Sequence, residues 1–162
     1  MHRTGQAIAL YTFIGSSPIR QWVESWDLKF ILKKSRDAIR FAVREGMEVG
    51  YLTEDTIRSS PQNLRQLFTH ALDEGVDRLV LCDTVGHATP MGTRALVRWT
   101  AELIKEHGSG AKIDWRGHND RGLALSNAMA ALQAGAHRIH GCALGVWESG
   151  LATPRWTYFY LT

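Results

Sequence analysis

Cysteine is scarce in this sequence. The 162 residues include two, Cys82 and Cys142, each inside an apolar run of strand length. That excludes a secreted disulfide framework and reads as buried, reduced thiols. Long hydrophobic runs are missing: no stretch approaches the roughly 20 apolar residues of a membrane-spanning helix. The N-terminus lacks the apolar run and small-residue cleavage site of a secretory signal. The expected address is the cytoplasm, with no membrane partner. A preponderance of one charge is absent too. The formal net charge is +3, and Lys and Arg are spread along helix faces without a basic block or interleaved aromatics. No nucleic-acid partner is expected. No GxGxxG follows the first apolar run, which disfavours a dinucleotide-binding fold.

What is present is a balanced soluble composition, 44% hydrophobic and 22% charged, long enough for one domain with a core. Its informative feature is alternation. Residues 7–14, AIALYTFI, have strand character, and a polar loop follows. Leu28, Ile31, Leu32, Ile39, Ala42 and Val43 then recur at helical spacing until Gly46. Residues 47–52 return to strand character. Ser60-Pro61 starts a second helix, a capping hydroxyl followed by proline at the first helical position. Its stripe of Leu64, Leu67, Phe68, Ala71 and Leu72 ends at Gly75. A strand over 78–82 follows, then a helix from about Pro90 with Ala95, Leu96, Trp99 and Leu103 inward, ending near Gly108. A strand over 111–115, an Ala-rich helix ending at Gly135 and a strand over 137–142 complete the series. Five strands separated by four helices imply parallel pairing with right-handed crossovers. The class is α/β. A doubly wound sheet and a barrel both fit, and the chain is short for a whole barrel.

In parallel α/β folds chemistry sits at the C-terminal strand ends. Those ends are polar here: Gly15, Ser16, Ser17 and Arg20; Thr53, Glu54, Asp55 and Arg58; Asp83, Thr84 and His87; Arg116, His118, Asn119 and Asp120; and the loop 145–148. One polar end is an ordinary solvated loop. Several converging on one rim point to a site, with simple loop polarity as the alternative. A His among oxygen-bearing residues suits a divalent metal that polarises a carbonyl. A lone His is more often structural than a ligand.

The string CDTVGHATP (82–90), followed by GHNDRGLALSNAMAALQAGAHRIHG (117–141), resembles the 2-isopropylmalate, homocitrate and citramalate synthases, metal-dependent TIM barrels related to 3-hydroxy-3-methylglutaryl-CoA lyase. FIGSSPIR (13–20) and TEDTIRSSP (53–61) fit the same family. The resemblance implies a partial (β/α)8 barrel, about strands 3 to 7. Residues 1–146 would form a partial pyruvate carboxyltransferase-like TIM-barrel catalytic domain. The implied reaction is a Claisen condensation of acetyl-CoA with a 2-oxo acid, as in leucine-type amino-acid biosynthesis. The implied cofactor is Mg, Mn or Zn, a Lewis acid for the developing alkoxide. Carried over by motif, His118 corresponds to the second His of a His-x-His metal pair. Thr84, next to Asp83, corresponds to a threonine contacting the oxo-acid carboxylate. Glu54 corresponds to a glutamate at the substrate site. Glu54 and Thr84 are thus the expected catalytic residues, and Glu54, Asp83 and Thr84 the expected substrate-binding set. A rim salt bridge or cap is the alternative role for Glu54 and Asp83. The lyase branch places a catalytic Cys in the loop that here reads ALGVWE, and Asn119 and Asn127 lean towards the synthases.

Three departures bear on activity. Arg116 occupies the first position of the His-x-His pair, and a guanidinium cannot ligate a metal. The sequence starts at the family's third strand, so the first two strands and the eighth are expected to be missing. The family's Gly-Glu-Arg-Val-Gly-Asn-Thr-Pro motif reads WESGLATP at 147–154, with Ala152 at the metal-ligating Asn position. Residues 147–162 form an aberrant tail. Back-translated with free choice among degenerate codons and reread after dropping the first two bases, they give GERVGNTPMDLLLLN, the family's continuation. A shift of reading frame near codon 147 accounts for this. The chain is expected to be inactive alone. A non-catalytic fragment or pseudoenzyme that associates with another barrel half, or self-associates through exposed barrel edges, is the second reading. A metal-dependent hydrolase on the same scaffold is the third.

Overall fold

The computed structural model describes residues 8–142, 146–147 and 150–151. Its order is β1 (Ala9–Gly15), α1 (Pro18–Glu24), α2 (Leu28–Arg44), β2 (Glu48–Glu54), a 3-10 turn (Thr56–Arg58), α3 (Pro61–Asp73), β3 (Arg78–Asp83), α4 (Pro90–His107), β4 (Lys112–Gly117), α5 (Ala124–Gln133) and β5 (Arg138–His140). Two short antiparallel strands follow, β6 (Val146–Trp147) and β7 (Gly150–Leu151). The first five strands form one parallel sheet in the order β1-β2-β3-β4-β5. Sequential order without a reversal is the winding of a barrel rather than of a doubly wound sheet. The fold is therefore α/β, a partial barrel.

The helix signals are realised locally. Ser17, Asp27, Ser60 and Thr89 each cap a helix by accepting a backbone N–H, from Arg20, Phe30, Asn63 and Gly92. Gly46, Gly75, Gly108 and Gly135 all take positive φ after a helix, where a side chain would be strained. Two readings are corrected. The polar loop after β1 contains α1, a seven-residue helix started by Ser17-Pro18. The inward face of α4 is rotated: Thr93, Val97, Thr100, Leu103 and Ile104 are buried and Ala95 is exposed. Leu96 and Trp99 flank that face. A hydrophobicity pattern discounts the two threonines, yet Thr100 buries its hydroxyl by donating it to the Leu96 carbonyl at 2.9 Å.

Strand alternation divides the side chains. Val49, Tyr51, Leu79, Leu81, Ile113 and Trp115 face the helices in one large core. The opposite, concave face carries Tyr11, Leu52, Val80 and Cys82. On that face the fully buried Asp114 carboxylate accepts from Arg78 Nε at 2.9 and 3.0 Å and from Tyr11 at 3.3 Å, and lies 2.9 Å from His140 Nε2. Arg138 donates to the Tyr11 hydroxyl and lies 3.9 Å from Asp114. Four strands are thereby tied inside the curve. Gly50 makes room for this cluster, because a Cβ there would run into the Tyr11 ring.

Burial raises the Asp114 pKa, but the donors His140 and Arg78 outweigh it and hold the carboxyl below its ordinary 3.8. A depressed pKa gives stability that is present above the unfolded value and lost as pH falls through the folded one. Acid unfolding should therefore steepen below about pH 4. The Asp114→Ala variant, which leaves the buried Arg78 with only the more distant Glu48 at 3.7 Å, should lose about 3–5 kcal/mol and show a flatter acid limb. Urea titrations between pH 3 and pH 7 measure both. Gly50→Ala should cost about 1–3 kcal/mol by overpacking in the same assay.

Candidate functional site

The C-terminal ends of β1 to β4 open into a cleft of 770 Å³. Tyr11, Phe13, Arg20, Leu52, Glu54, Cys82, Thr84, Val85, Arg116, His118 and Asp120 line it. The pleat explains this membership. Phe13 pairs with Leu52 in register, and Cys82 pairs with Arg116, so alternate residues of adjacent strands project into the same hollow. Arg116 and His118 lie two positions apart and share that direction.

The expected residues divide by this parity. Glu54, Thr84 and His118 are brought together in the cleft, and Arg116 with them. Glu54 sits 3.7 Å from Arg20, which also lies 3.4 Å from Glu24. Thr84 Oγ1 accepts the Asp55 N–H at 2.8 Å, which fixes the hydroxyl with its own proton to donate. Asp83 is not brought to the cleft. It is fully buried, and its carboxylate accepts the N–H groups of His87 and Ala88 at 2.8 and 3.2 Å. It shapes the β3–α4 loop, and burial pushes its pKa above the ordinary value against the pull of those two bonds. The loop's Gly86 has φ +62° and lies against Asp120, so a side chain there would be strained and would collide.

Other rim residues hold the frame. Asp55 binds Arg58 through both carboxylate oxygens at 2.8 and 2.9 Å. Ser16 hydrogen-bonds the Glu54 carbonyl and Ser59. Asn119 accepts from the first amide of α5, and Asn127 ties α5 to the Ala88 carbonyl. His87 is exposed. Ala152 lies outside the described residues. Tyr11, Phe13 and Val85 are cleft residues that the sequence reading missed. Alternation within AIALYTFI carried the signal for the first two.

The electrostatics follow from these positions. Burial pushes the Cys82 thiol up to about 12, so it is protonated at neutral pH and is no nucleophile. Burial, and then the positive charge of Arg116, depress the His118 imidazole below 6.5, while Asp120 and Asp83 act in the opposite sense. His118 Nδ1 lies 4.0 Å from Asp120. Among the described residues no group of three His, Cys, Asp or Glu side chains is placed to hold a metal ion. A guanidinium beside one imidazole does not fit a divalent cation.

The sequence profile of the HMGL-like family matches residues 4–151. The chain belongs to the HMGL-like family. It is 34% identical over 142 residues to the mitochondrial homocitrate synthase of Schizosaccharomyces pombe, covering 87% of this chain and 33% of that protein. It is 34% identical over 149 residues to the 2-isopropylmalate synthase of Methanocaldococcus jannaschii, covering 87% and 26%. The chain thus spans about a third or less of the curated relatives it matches. Among solved structures it resembles the HMG-CoA lyase of Bacillus subtilis, with a TM-score of 0.75 and 19% identity over 91% of this chain and 52% of that one. An Acinetobacter baumannii HMG-CoA lyase in complex with coenzyme A and 3-methylmalate gives a TM-score of 0.70 and 22% identity, over 89% of this chain and 48% of that one. At these identities the structural likeness speaks for the fold. HMGL-like membership agrees with the family resemblance carried by the 82–90 and 117–141 motifs.

The Arg116→Gln variant should raise the His118 pKa, because a repelling charge is removed while the burial remains. A proton NMR titration of the His118 ring measures the shift. An unchanged or lower value would contradict the electrostatics described here.

Proposed function

We propose that the chain is the substrate-holding part of a Claisen-condensing acyltransferase of the 2-isopropylmalate synthase type, which joins acetyl-CoA to a 2-oxo acid in amino-acid biosynthesis in the cytoplasm. In this sequence the metal-dependent step is lost. The observation that carries the reading is the convergence of Glu54, Thr84, Arg116 and His118 on one cleft at the C-terminal strand ends of an HMGL-like chain. Thr84 supplies a fixed hydroxyl for an oxo-acid carboxylate. Glu54, held at Arg20, supplies a carboxylate at the rim. The divalent metal that the resemblance implies, Mg, Mn or Zn, finds His118 and the guanidinium of Arg116, a donor set that does not hold it.

The second reading is a catalytically silent barrel portion that associates with a complementary one. Phe13 favours it: this aromatic on the concave face is 73% exposed, and β1 pairs on one side among the described strands. An open parallel edge and an uncovered apolar face favour association.

The purified chain, supplied with acetyl-CoA, 2-oxoisovalerate and Mn, should release no free thiol above background. Arg116→His alone should not restore release, since Ala152 still stands where the resemblance puts the metal-ligating Asn. Metal-dependent thiol release by the unmodified chain would overturn the loss of activity. The tail at 147–162 is proposed to arise from a shifted reading frame. The gene's nucleotide sequence should show GERVGNTPMDLLLLN two bases out of phase.

A further inference from the structure

Two apolar features of the surface lie apart from the cleft. The first is α1. None of its seven residues is buried, and Ile19, Trp22 and Val23 are 56%, 83% and 60% exposed. They stand at i, i+3 and i+4, so they form one stripe on one face. Isolated helices shorter than about 12 residues are marginal in water and draw their stability from packing an apolar face. The second feature is a groove of 390 Å³ between α3 and α4. Ile57, Pro61, Leu64, Ala95, Leu96 and Trp99 line it. Small residues of α4 keep it open: Ala95 ends at a methyl, and a Cβ at Gly92 would meet only the Thr89 hydroxyl, at 3.4 Å. The Thr56 and Ser59 hydroxyls at the groove already donate to the Thr53 and Asp55 carbonyls, so it calls for an apolar guest. Met91, one turn before Ala95 and 80% exposed, adds an adaptable thioether beside it. The Arg65 guanidinium stands 5.9 Å over the Trp99 ring.

We propose that α1 of one chain docks in the α3–α4 groove of a second copy, and reciprocally, in a twofold dimer. Trp22 enters the groove, Ile19 and Val23 cover Ala95 and Met91, and Glu24 meets Arg65. A helix laid in a groove is read through anchors at i, i+3 and i+4, and here one chain carries both the anchors and their seat. Charge agrees with this pairing. Glu24 directly follows the apolar stripe, and the Arg65 partner within the chain, Glu106, is a surface ion pair with side chains 52% and 60% exposed, which competes weakly. Area argues for reciprocity. A buried Trp covers about 150–250 Å². With Ile19, Val23 and the groove surface beneath them, one contact removes on the order of 600 Å², too little for a stable interface, whereas two reach about 1,200 Å², its lower bound. The groove is flanked by α2 beyond α3 and by α5 beyond α4, so the contact is separate from the open edge of β1. It is independent of the acyl-transfer reading.

Sedimentation equilibrium of the full 162-residue chain over a dilution series tests the contact. The chain should show a monomer–dimer equilibrium. Trp22→Ser should weaken it by about a hundredfold or more, because an aromatic anchor is lost at both contacts. Ala95→Arg, at an exposed position, fills the groove and should weaken it by at least about tenfold. Phe13→Ser should leave the equilibrium unchanged. If Trp22→Ser fails to fold, as judged by circular dichroism, Ala95→Arg decides. Orientation is read by cross-linking. Glu24→Cys and Arg65→Cys chains, mixed and oxidised with diamide, should form the mixed disulfide in preference to either homodisulfide, while Cys82 and Cys142 are buried. A chain that stays monomeric, undiminished dimer in a folded Trp22→Ser or Ala95→Arg variant, loss of the dimer in Phe13→Ser, or a predominant Glu24→Cys homodisulfide would overturn the proposal.

Discussion

A carboxylate with no access to solvent governs the concave side of this fold. Asp114 sits at the middle of β4, surrounded by Arg78 of β3, His140 of β5 and Tyr11 of β1. A parallel sheet curls into a barrel only when its inner face is filled, and here the lower interior is filled with paired charges rather than with aliphatic layers. Burying such charges is costly, and the geometry has to satisfy every lone pair. The arrangement therefore fixes strand register more sharply than methyl groups would. Gly50, shaped to admit the Tyr11 ring, is part of the same solution. The cleft above inherits its curvature from this layer, because Arg116 follows Asp114 on the same face of the same strand.

The outer face obeys simpler rules, and for that reason it was legible in the sequence. Burying a helix stripe against a sheet needs apolar spacing, a cap and a stop, and all three are local. Ser60-Pro61 and Gly75 bracket α3 to the residue, and Leu64, Leu67, Phe68, Ala71 and Leu72 are its buried stripe. Reading failed where local pattern and tertiary context parted. α1 is short, carries no buried residue and follows serines that also read as loop. On α4 the sheet accepts Thr93 and Thr100 and leaves Ala95 in water. No hydrophobic count foresees that rotation, since it depends on where α3 and α5 leave room.

At the rim, strand parity separates what the motif ran together. In the string Cys82-Asp83-Thr84, the first residue faces the cleft, the second turns outward and the third re-enters from the loop. Asp83 looked like a substrate ligand because it adjoins Thr84. Its carboxylate instead accepts two backbone amides of the β3–α4 loop. The reverse error hid Tyr11 and Phe13 inside an apolar run that reads as a strand buried on both faces. Only half of that strand packs on helices. The other half borders the open interior, and that distinction is set by neighbouring strands rather than by the run itself.

Arg116 sets the sign of the cleft's electrostatics from within an intact strand. Its backbone pairs with Cys82 and His140 in unbroken register. The electrostatic effect is nonetheless large in kind. A neutral imidazole recruits a cation and works through it, whereas a guanidinium repels cations and takes anions itself. The neighbouring groups respond to that sign. His118 is pushed towards its neutral form, and Cys82, although Arg116 favours its thiolate, remains protonated because burial dominates. The cleft therefore combines a fixed cation, an imidazole biased towards its neutral form and a hydroxyl held by a backbone amide with apolar wall residues.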